Sequence, residues 1–340
     1  FRDHNAAEGT GDGDDRGAIH IIFMNTDGTV KSTKEISNST TNGPNLNNHD
    51  HFGASVANIG DLDGDGVNDL AVGAHLGNTI HIMFMNTDGS VKSTEEINST
   101  TENGPPLNSG DRFGGSVANI GDLDGDGVND LAVGAFRDHN AAEGTGDGDD
   151  RGAVHIIFMN IDGTVKSTKE ISNSTANGPN LADNDQFGVS VANIGDLDGD
   201  GVNDLAVGAH LDDAGTGDNL GAVHIIFMNT DGTVKSIKEI NDTTTNVPNL
   251  ADNDQFGASV ANIGDLDGNG VIDLAVGVWF DDTGTGNNLG AVHILFLHET
   301  TKPTVTITPS SGDCGDTVNS TTLSYTVTFS ESTSNFVVGD

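Results

Sequence analysis

Phe52-Gly53-Ala54-Ser55-Val56-Ala57-Asn58-Ile59-Gly60-Asp61-Leu62-Asp63-Gly64-Asp65-Gly66 returns nearly unchanged from Phe113, Phe187 and Phe256, at intervals of 61, 74 and 69 residues. A long unit therefore repeats, and its length variation falls in loops. Within the unit four strands are expected. The first is Phe52–Ile59, apolar at Phe52, Val56 and Ile59, and the second is Asp69–Ala74. Thr79–Met85, rich in Ile, is the third, and Ser90–Ile97 the fourth. Asp88-Gly89 reads as a tight hairpin between the last two, as do Asp27-Gly28, Asp162-Gly163 and Asp231-Gly232. Four antiparallel strands per repeat make one blade, so the expected fold is an all-β β-propeller. The Ala and Gly of the first two strands suit its crowded centre, where blades approach closely.

Working outward, Phe1–Gly17 matches Phe136–Gly152 almost residue for residue. The chain is thus expected to open inside a blade, with strands three and four in residues 18–36. Blade ranges of 1–48 (partial), 49–110, 111–183, 184–252 and 253–298 (partial) follow, about four and a half blades. That count implies a fragment of a larger propeller, an open arc or imperfect ring whose edges further blades would cover. After a linker at 299–303, residues 304–340 change character to Thr-rich alternation. They resemble the opening strands of a bacterial immunoglobulin-like domain, truncated well short of the ~100 residues of a sandwich.

The first and second strands of each unit are joined by Asp61-Leu62-Asp63-Gly64-Asp65-Gly66-Val67-Asn68-Asp69, repeated at 122–130, 196–204 and 265–273. Oxygen ligands at loop positions 1, 3, 5 and 9, with the backbone carbonyl at position 7, can converge on one hard cation. The intervening glycines permit the φ > 0 turns such a curl needs. The expected ligands are Asp61, Asp63, Asp65, Val67 and Asp69; Asp122, Asp124, Asp126, Val128 and Asp130; Asp196, Asp198, Asp200, Val202 and Asp204; and Asp265, Asp267, Asn269, Val271 and Asp273. Ca2+ at about four structural sites is the expected cofactor, weakest at the fourth, where Asn269 replaces an Asp. Without metal, two carboxylates ~4 Å apart repel by about 4 kcal/mol at an effective dielectric of ~20. An EF-hand is excluded because position 12 is Val72, inside an expected strand, where that motif needs Glu and an exiting helix.

The Phe-Gly pairs at 52–53, 113–114, 187–188 and 256–257, the acidic loops and the Val-Gly-Ala after them resemble the FG-GAP repeats of the integrin α-chain propeller. The resemblance covers residues 1–297 and implies a propeller of usually seven blades, with calcium in blade loops on one face and ligands bound largely at the other. The five loop positions match the family's calcium ligands one by one. His75, Phe136 and His210 stand where the family has Pro, and the last blade carries Val278-Trp279 at that point. No inserted ligand-binding domain interrupts the blades.

With 13 basic and 52 acidic residues, a formal net charge of −39 argues against nucleic acid and anionic membranes as partners. No apolar run reaches the ~20 residues of a span, so membrane insertion by this chain is not expected. Phe1-Arg2-Asp3-His4 is no signal peptide. The single Cys314 allows no internal disulfide. Histidine recurs in the third strand at 20, 81, 155, 224 and 293. One per blade and well over ~10 Å apart, these are beyond shared coordination and are expected to be half-exposed strand residues. The Gly/Asp-rich loops Gly9–Asp15, Gly144–Asp150 and Gly215–Asp218 read as solvated turns, with further cation or ligand contacts as the other reading. Asn38, Asn98, Asn173, Asn241 and Asn319, each in Asn-x-Ser/Thr, read as turn residues, with glycan attachment as the other reading. Trp279, the sole Trp, suits an exposed contact or a core role equally.

The sequence offers no nucleophile with an attendant base, no paired acidic residues outside the metal loops and no open-site zinc pattern, so an enzyme is not expected. The expected function is an extracellular or cell-surface, calcium-binding propeller module for adhesion to, or recognition of, a protein or polysaccharide ligand. The alternatives are an accessory propeller domain of a secreted hydrolase or lyase, and a purely architectural surface-protein spacer.

Overall fold

Alternation of apolar side chains with small or polar ones, cut by Asp-Gly turns, gives strands that pair with their sequence neighbours. The computed structural model describes residues 15–139, 149–213, 217–281 and 289–298, together with the backbone of 305–309 and 325–329. Its first pair is β1 (Ile19–Met24) and β2 (Val30–Ile36). Then come three four-stranded antiparallel sheets in simple sequence order. These are β3 (Phe52–Gly60), β4 (Asp69–Ala74), β5 (Thr79–Met85) and β6 (Val91–Ile97); β7 (Phe113–Gly121), β8 (Asp130–Ala135), β9 (Ala153–Met159) and β10 (Val165–Ile171); and β11 (Phe187–Gly195), β12 (Asp204–Ala209), β13 (Ala222–Met228) and β14 (Val234–Ile240). A three-stranded sheet follows: β15 (Phe256–Asn262), β16 (Leu274–Val278) and β17 (Ala291–Leu295). The fold is a β-propeller of four-stranded blades.

Two strand limits differ from expectation. The first strand runs on to Gly60, and the fourth begins at Val91 because Ser90 is held in the hairpin, its N–H and hydroxyl both donating to Asp88 Oδ1 at 2.9 and 2.6 Å.

Successive first strands lie side by side, β3 against β7, β7 against β11 and β11 against β15. The core accordingly sits between blades rather than inside one. A cluster containing Ile59, Ile80 and Ile82 is shared with Phe113, Leu131 and Val133 of the next blade. The next, with Ile120, Val154 and Ile156, takes in Phe187, Leu205 and Val207. Phe52, Phe113, Phe187 and Phe256 are each fully buried at these joints. Exposure rises at the two flanking sheets, where Ile22 and Met24 on β1 and Val292 on β17 face outward.

The joints explain the Phe-Gly and Gly-Ala pairs. Gly114, Gly188 and Gly257 adopt φ of 87°, 87° and 89°, a backbone that L side chains rarely take. Their carbonyls accept hydrogen bonds from Ser55, Ser116 and Ser190 of the preceding blade at 2.8, 2.8 and 2.9 Å.

Beyond the blades, β18 (Val305–Pro309) and β19 (Tyr325–Phe329) form an antiparallel pair, Val305 opposite Phe329. This pair falls where a truncated immunoglobulin-like segment is expected and does not by itself show that fold. Among the described residues no helix is long and apolar enough to cross a membrane. The linker at 299–303, Cys314, Asn319 and most of the loops Gly9–Asp15 and Gly144–Asp150 lie outside the described residues, as do Gly215 and Thr216.

Candidate metal centre

Each acidic loop spans the end of its blade between the first two strands, and its own backbone shapes it. Asp61 accepts the Asp65 N–H at Oδ1 (2.9 Å) and the Gly66 N–H at Oδ2 (2.8 Å), so the chain curls around this carboxylate. Asp122, Asp196 and Asp265 are held in the same manner. At the other end of the loop Asp69 is 1% exposed. It accepts the Leu62 N–H at Oδ2 and the Met85 N–H at Oδ1, both at 2.9 Å, and ties the loop to the end of β5. Asp130, Asp204 and Asp273 repeat that brace on Met159, Met228 and Leu297.

One oxygen from each of Asp61, Asp63 and Asp69 lies within 4.8 Å of the other two. The same holds for Asp122, Asp124 and Asp130, for Asp196, Asp198 and Asp204, and for Asp265, Asp267 and Asp273. Positions 1, 3 and 9 are therefore brought together four times. Position 5 is differently engaged: Asp65 Oδ1 accepts the Val67 N–H (2.9 Å), and Oδ2 accepts a bond from Lys92 Nζ (2.7 Å), which also donates to Asp63 Oδ2 at 2.6 Å. Lys166 bridges Asp124 and Asp126, and Lys235 bridges Asp198 and Asp200, in the same way. At the fourth loop Asn269 Oδ1 accepts the Val271 N–H and its Nδ2 donates to the Leu297 carbonyl, both at 2.7 Å. The three lysines were missed by sequence reasoning. Their signal was Val-Lys-Ser two residues after each Asp-Gly hairpin, on a strand that leads back beneath the loop.

The electrostatics agree with the geometry. Burial pushes the carboxyls of Asp130 and Asp204 up to about 6 and raises that of Asp69, because an ion is costly away from water. The hydrogen bond from Lys92 holds Asp65 below the usual carboxylate range. A loop with four acids and one facing lysine keeps excess negative charge, and its donors are all oxygen. That set fits a hard divalent cation.

Loop order is also coupled to blade packing. The position-8 side chains Asn129 and Asn203 donate from Nδ2 to the Ile59 and Ile120 carbonyls of the preceding blades at 2.9 and 2.8 Å. The fourth loop has Ile272 at that position.

At the opposite end of the blades the histidine expectation needs correction. His81, His155 and His224 are 2%, 0% and 1% exposed rather than half-exposed. Their rings meet Phe52, Phe113 and Phe187 edge-on at 5.5, 5.6 and 5.3 Å. Complete blades cover both faces of the third strand, whereas β1, with one face open, leaves His20 exposed. Trp279 is 52% exposed beside the His210 ring, 5.0 Å away. Asn38 and Asn173 serve as turn braces, accepting the Leu46 and Leu181 N–H groups at 2.8 and 2.9 Å.

Residues 61–133 match the FG-GAP-like repeat and residues 187–226 the FG-GAP repeat. The chain is 36% identical to integrin alpha-4 of Xenopus laevis over 48% of its length, and 32% identical to integrin alpha pat-2 of Caenorhabditis elegans over 76%. It spans 15% and 19% of those two proteins, respectively. Integrin alpha-PS2 of Drosophila melanogaster is 29% identical over 72% of this chain and is covered to 16%. A solved structure of virginiamycin B lyase from Staphylococcus aureus aligns with 85% of this chain and 65% of its own, at 14% identity and a TM-score of 0.33.

Proposed function

We propose that this chain is an extracellular or cell-surface recognition module in which Ca2+ fixes the blade loops and the opposite face of the propeller meets a protein or polysaccharide. The supporting observation is the three-carboxylate cluster found at the same place in four successive blades, in a chain similar to integrin alpha proteins. In this reading Asp61, Asp63 and Asp69 and their equivalents hold the ion, joined by the position-5 side chains and the carbonyls of Val67, Val128, Val202 and Val271. Calcium supplies charge neutralisation and rigidity, and no catalytic step. A glycan and matrix-protein array probed in calcium and again in chelator tests the whole reading. Binding that disappears with calcium is expected; an array silent in both conditions would overturn the recognition role.

The four loops are expected to differ. Asn269 offers a neutral oxygen where the other three loops have a carboxylate, and Ile272 provides no latch to the preceding blade. Calorimetric titration should resolve one site weaker than the rest by about tenfold, the 1.4 kcal/mol expected of one weakened charge-assisted contact. Asn269→Asp should bring it into line. Four equal affinities in the unaltered chain would contradict this assignment.

A further inference from the structure

The blade ends away from the acidic loops carry a second set of titratable side chains. Asp111 precedes β7, Asp138 follows β8, and His155 and Glu170 sit opposite each other on β9 and β10. Asp111, Asp138 and His155 are 0%, 4% and 0% exposed. His155 Nε2 lies 3.3 Å from Asp138 Oδ2. One ligand atom from each of Asp138, His155 and Glu170 falls within 4.8 Å of the other two.

Asp111 enters from the neighbouring loop. The Asn108 N–H donates to its Oδ2 at 2.6 Å, and the Arg137 N–H donates to its main-chain carbonyl at 3.0 Å, laying it beside Asp138. Its Oδ1 is buried and accepts no hydrogen bond, with His139 Nδ1 3.3 Å away. The preceding blade shows where that oxygen is aimed. Gly77 stands there in place of Asp138, and a Cβ on Gly77 would lie 2.9 Å from Oδ1 of Asp50, the counterpart of Asp111.

The Asp–His pair recurs, while among the described residues the three-donor cluster at this end of the blades is found only at Asp138, His155 and Glu170. In the next blade Asp185, Asp212 and His224 are 2%, 2% and 1% exposed, with His224 Nε2 3.6 Å from Asp212 Oδ2, and no hydrogen bond reaches Asp185 Oδ1 or His224 Nε2. In the last blade His293 Nε2 meets Asp281 Oδ2 at 3.0 Å.

We propose that Asp138, His155 and Glu170, with Asp111 beside them, form a site for a divalent transition cation of the zinc class, separate from the acidic loops. The imidazole sets it apart. Mixed nitrogen and carboxylate donors suit Zn2+, whereas calcium takes oxygen. Asp111 and Asp138, both withdrawn from water beside one histidine and the half-buried Glu170, also favour a cation there. The blade with Gly77 lacks one of those carboxylates and has no such site.

The test uses the whole chain held in excess Ca2+ and freed of transition metals, titrated with Zn2+ by calorimetry and with Co2+ by visible absorption. Zinc uptake is expected, weakened by more than about tenfold in both Asp138→Asn and His155→Gln, with calcium uptake retained as the sign that each variant is folded. Cobalt should develop the absorption of a nitrogen-containing site in the unaltered chain only. Should His155→Gln fail to fold because its ring packs on Phe113, Asp138→Asn decides alone. No zinc uptake by the unaltered chain would overturn the site and leave His155–Asp138 a structural pair; uptake undiminished in the folded variants would also overturn it. Neither result bears on the calcium loops, which are read separately.

Discussion

Stripping calcium from the purified chain is expected to lower its unfolding midpoint by about 15 °C. An ion present at about a hundredfold its dissociation constant adds about 2.7 kcal/mol per site, so four loops together add about 10 kcal/mol. At roughly 2.1 cal/mol/K per residue, blades spanning about 300 residues shift by about 1.6 °C per kcal/mol, or about 15 °C in all. The loops transmit that energy because they are wired into the blades. Asp69, Asp130 and Asp204 hold the ends of the third strands, and Asn129 and Asn203 hold the preceding blades. Lys92, Lys166 and Lys235 offset part of the repulsion that calcium would otherwise relieve, and the fourth loop has no lysine contact among the described residues. The last blade should therefore loosen first on chelation. Scanning calorimetry in calcium and in chelator, with amide exchange of Asp265–Asp273 compared with Asp122–Asp130, reads both effects. An unchanged midpoint would sink the structural role of the ion.

The blade and its loop were legible because both rest on local periodicity. Asp69–Ala74 and Thr79–Met85 fall where alternation and Asp-Gly turns place them, and the failure of Val72 to act as an EF-hand ligand is seen in its position inside β4. What stayed hidden depends on contacts between blades or between distant segments of one blade. Whether His155 is half-exposed or buried is decided by the neighbouring sheets, which no spacing within one repeat encodes. The approach of Asp111 to Asp138 joins two loops of one blade that are 27 residues apart in sequence, and Lys166 reaches Asp124 from 42 residues away. Repetition itself offered a way to these pairs. Asp138, Asp212 and Asp281 recur three residues beyond the second strand while Gly77 breaks the series, and that exception marks a side chain with a partner.

The largest single-residue effect is expected from Gly134→Ala. Gly134 lies in β8 between Ser116 and Val154, at an ordinary strand backbone that alanine adopts without strain. The obstacle is the next blade. A Cβ here would overlap the Gly188 carbonyl oxygen and Ser116 Oγ and stand 2.9 Å from the Gly188 carbonyl carbon. Those two oxygens are themselves joined by the 2.8 Å bond that stitches the blades. Backbone cannot rotate aside as a flexible side chain would, so relief requires the blades to part and the Ser116 bond to break. Overpacking at about 3 kcal/mol, plus about 1 kcal/mol for the lost bond, gives a cost of about 4 kcal/mol. Gly277→Ala provides the matched comparison, because its Cβ would meet Ser259 of its own blade and no backbone of a following one. It should cost about 1–2 kcal/mol, relieved by a turn of the serine side chain. Gly125→Ala, in an acidic loop with nothing within 4 Å but φ at 79°, isolates the conformational term at about 1–2 kcal/mol. Denaturant unfolding of the three variants in calcium should rank Gly134→Ala well above the others. Equal losses at Gly134 and Gly277 would mean that the joint between blades is not where glycine is required.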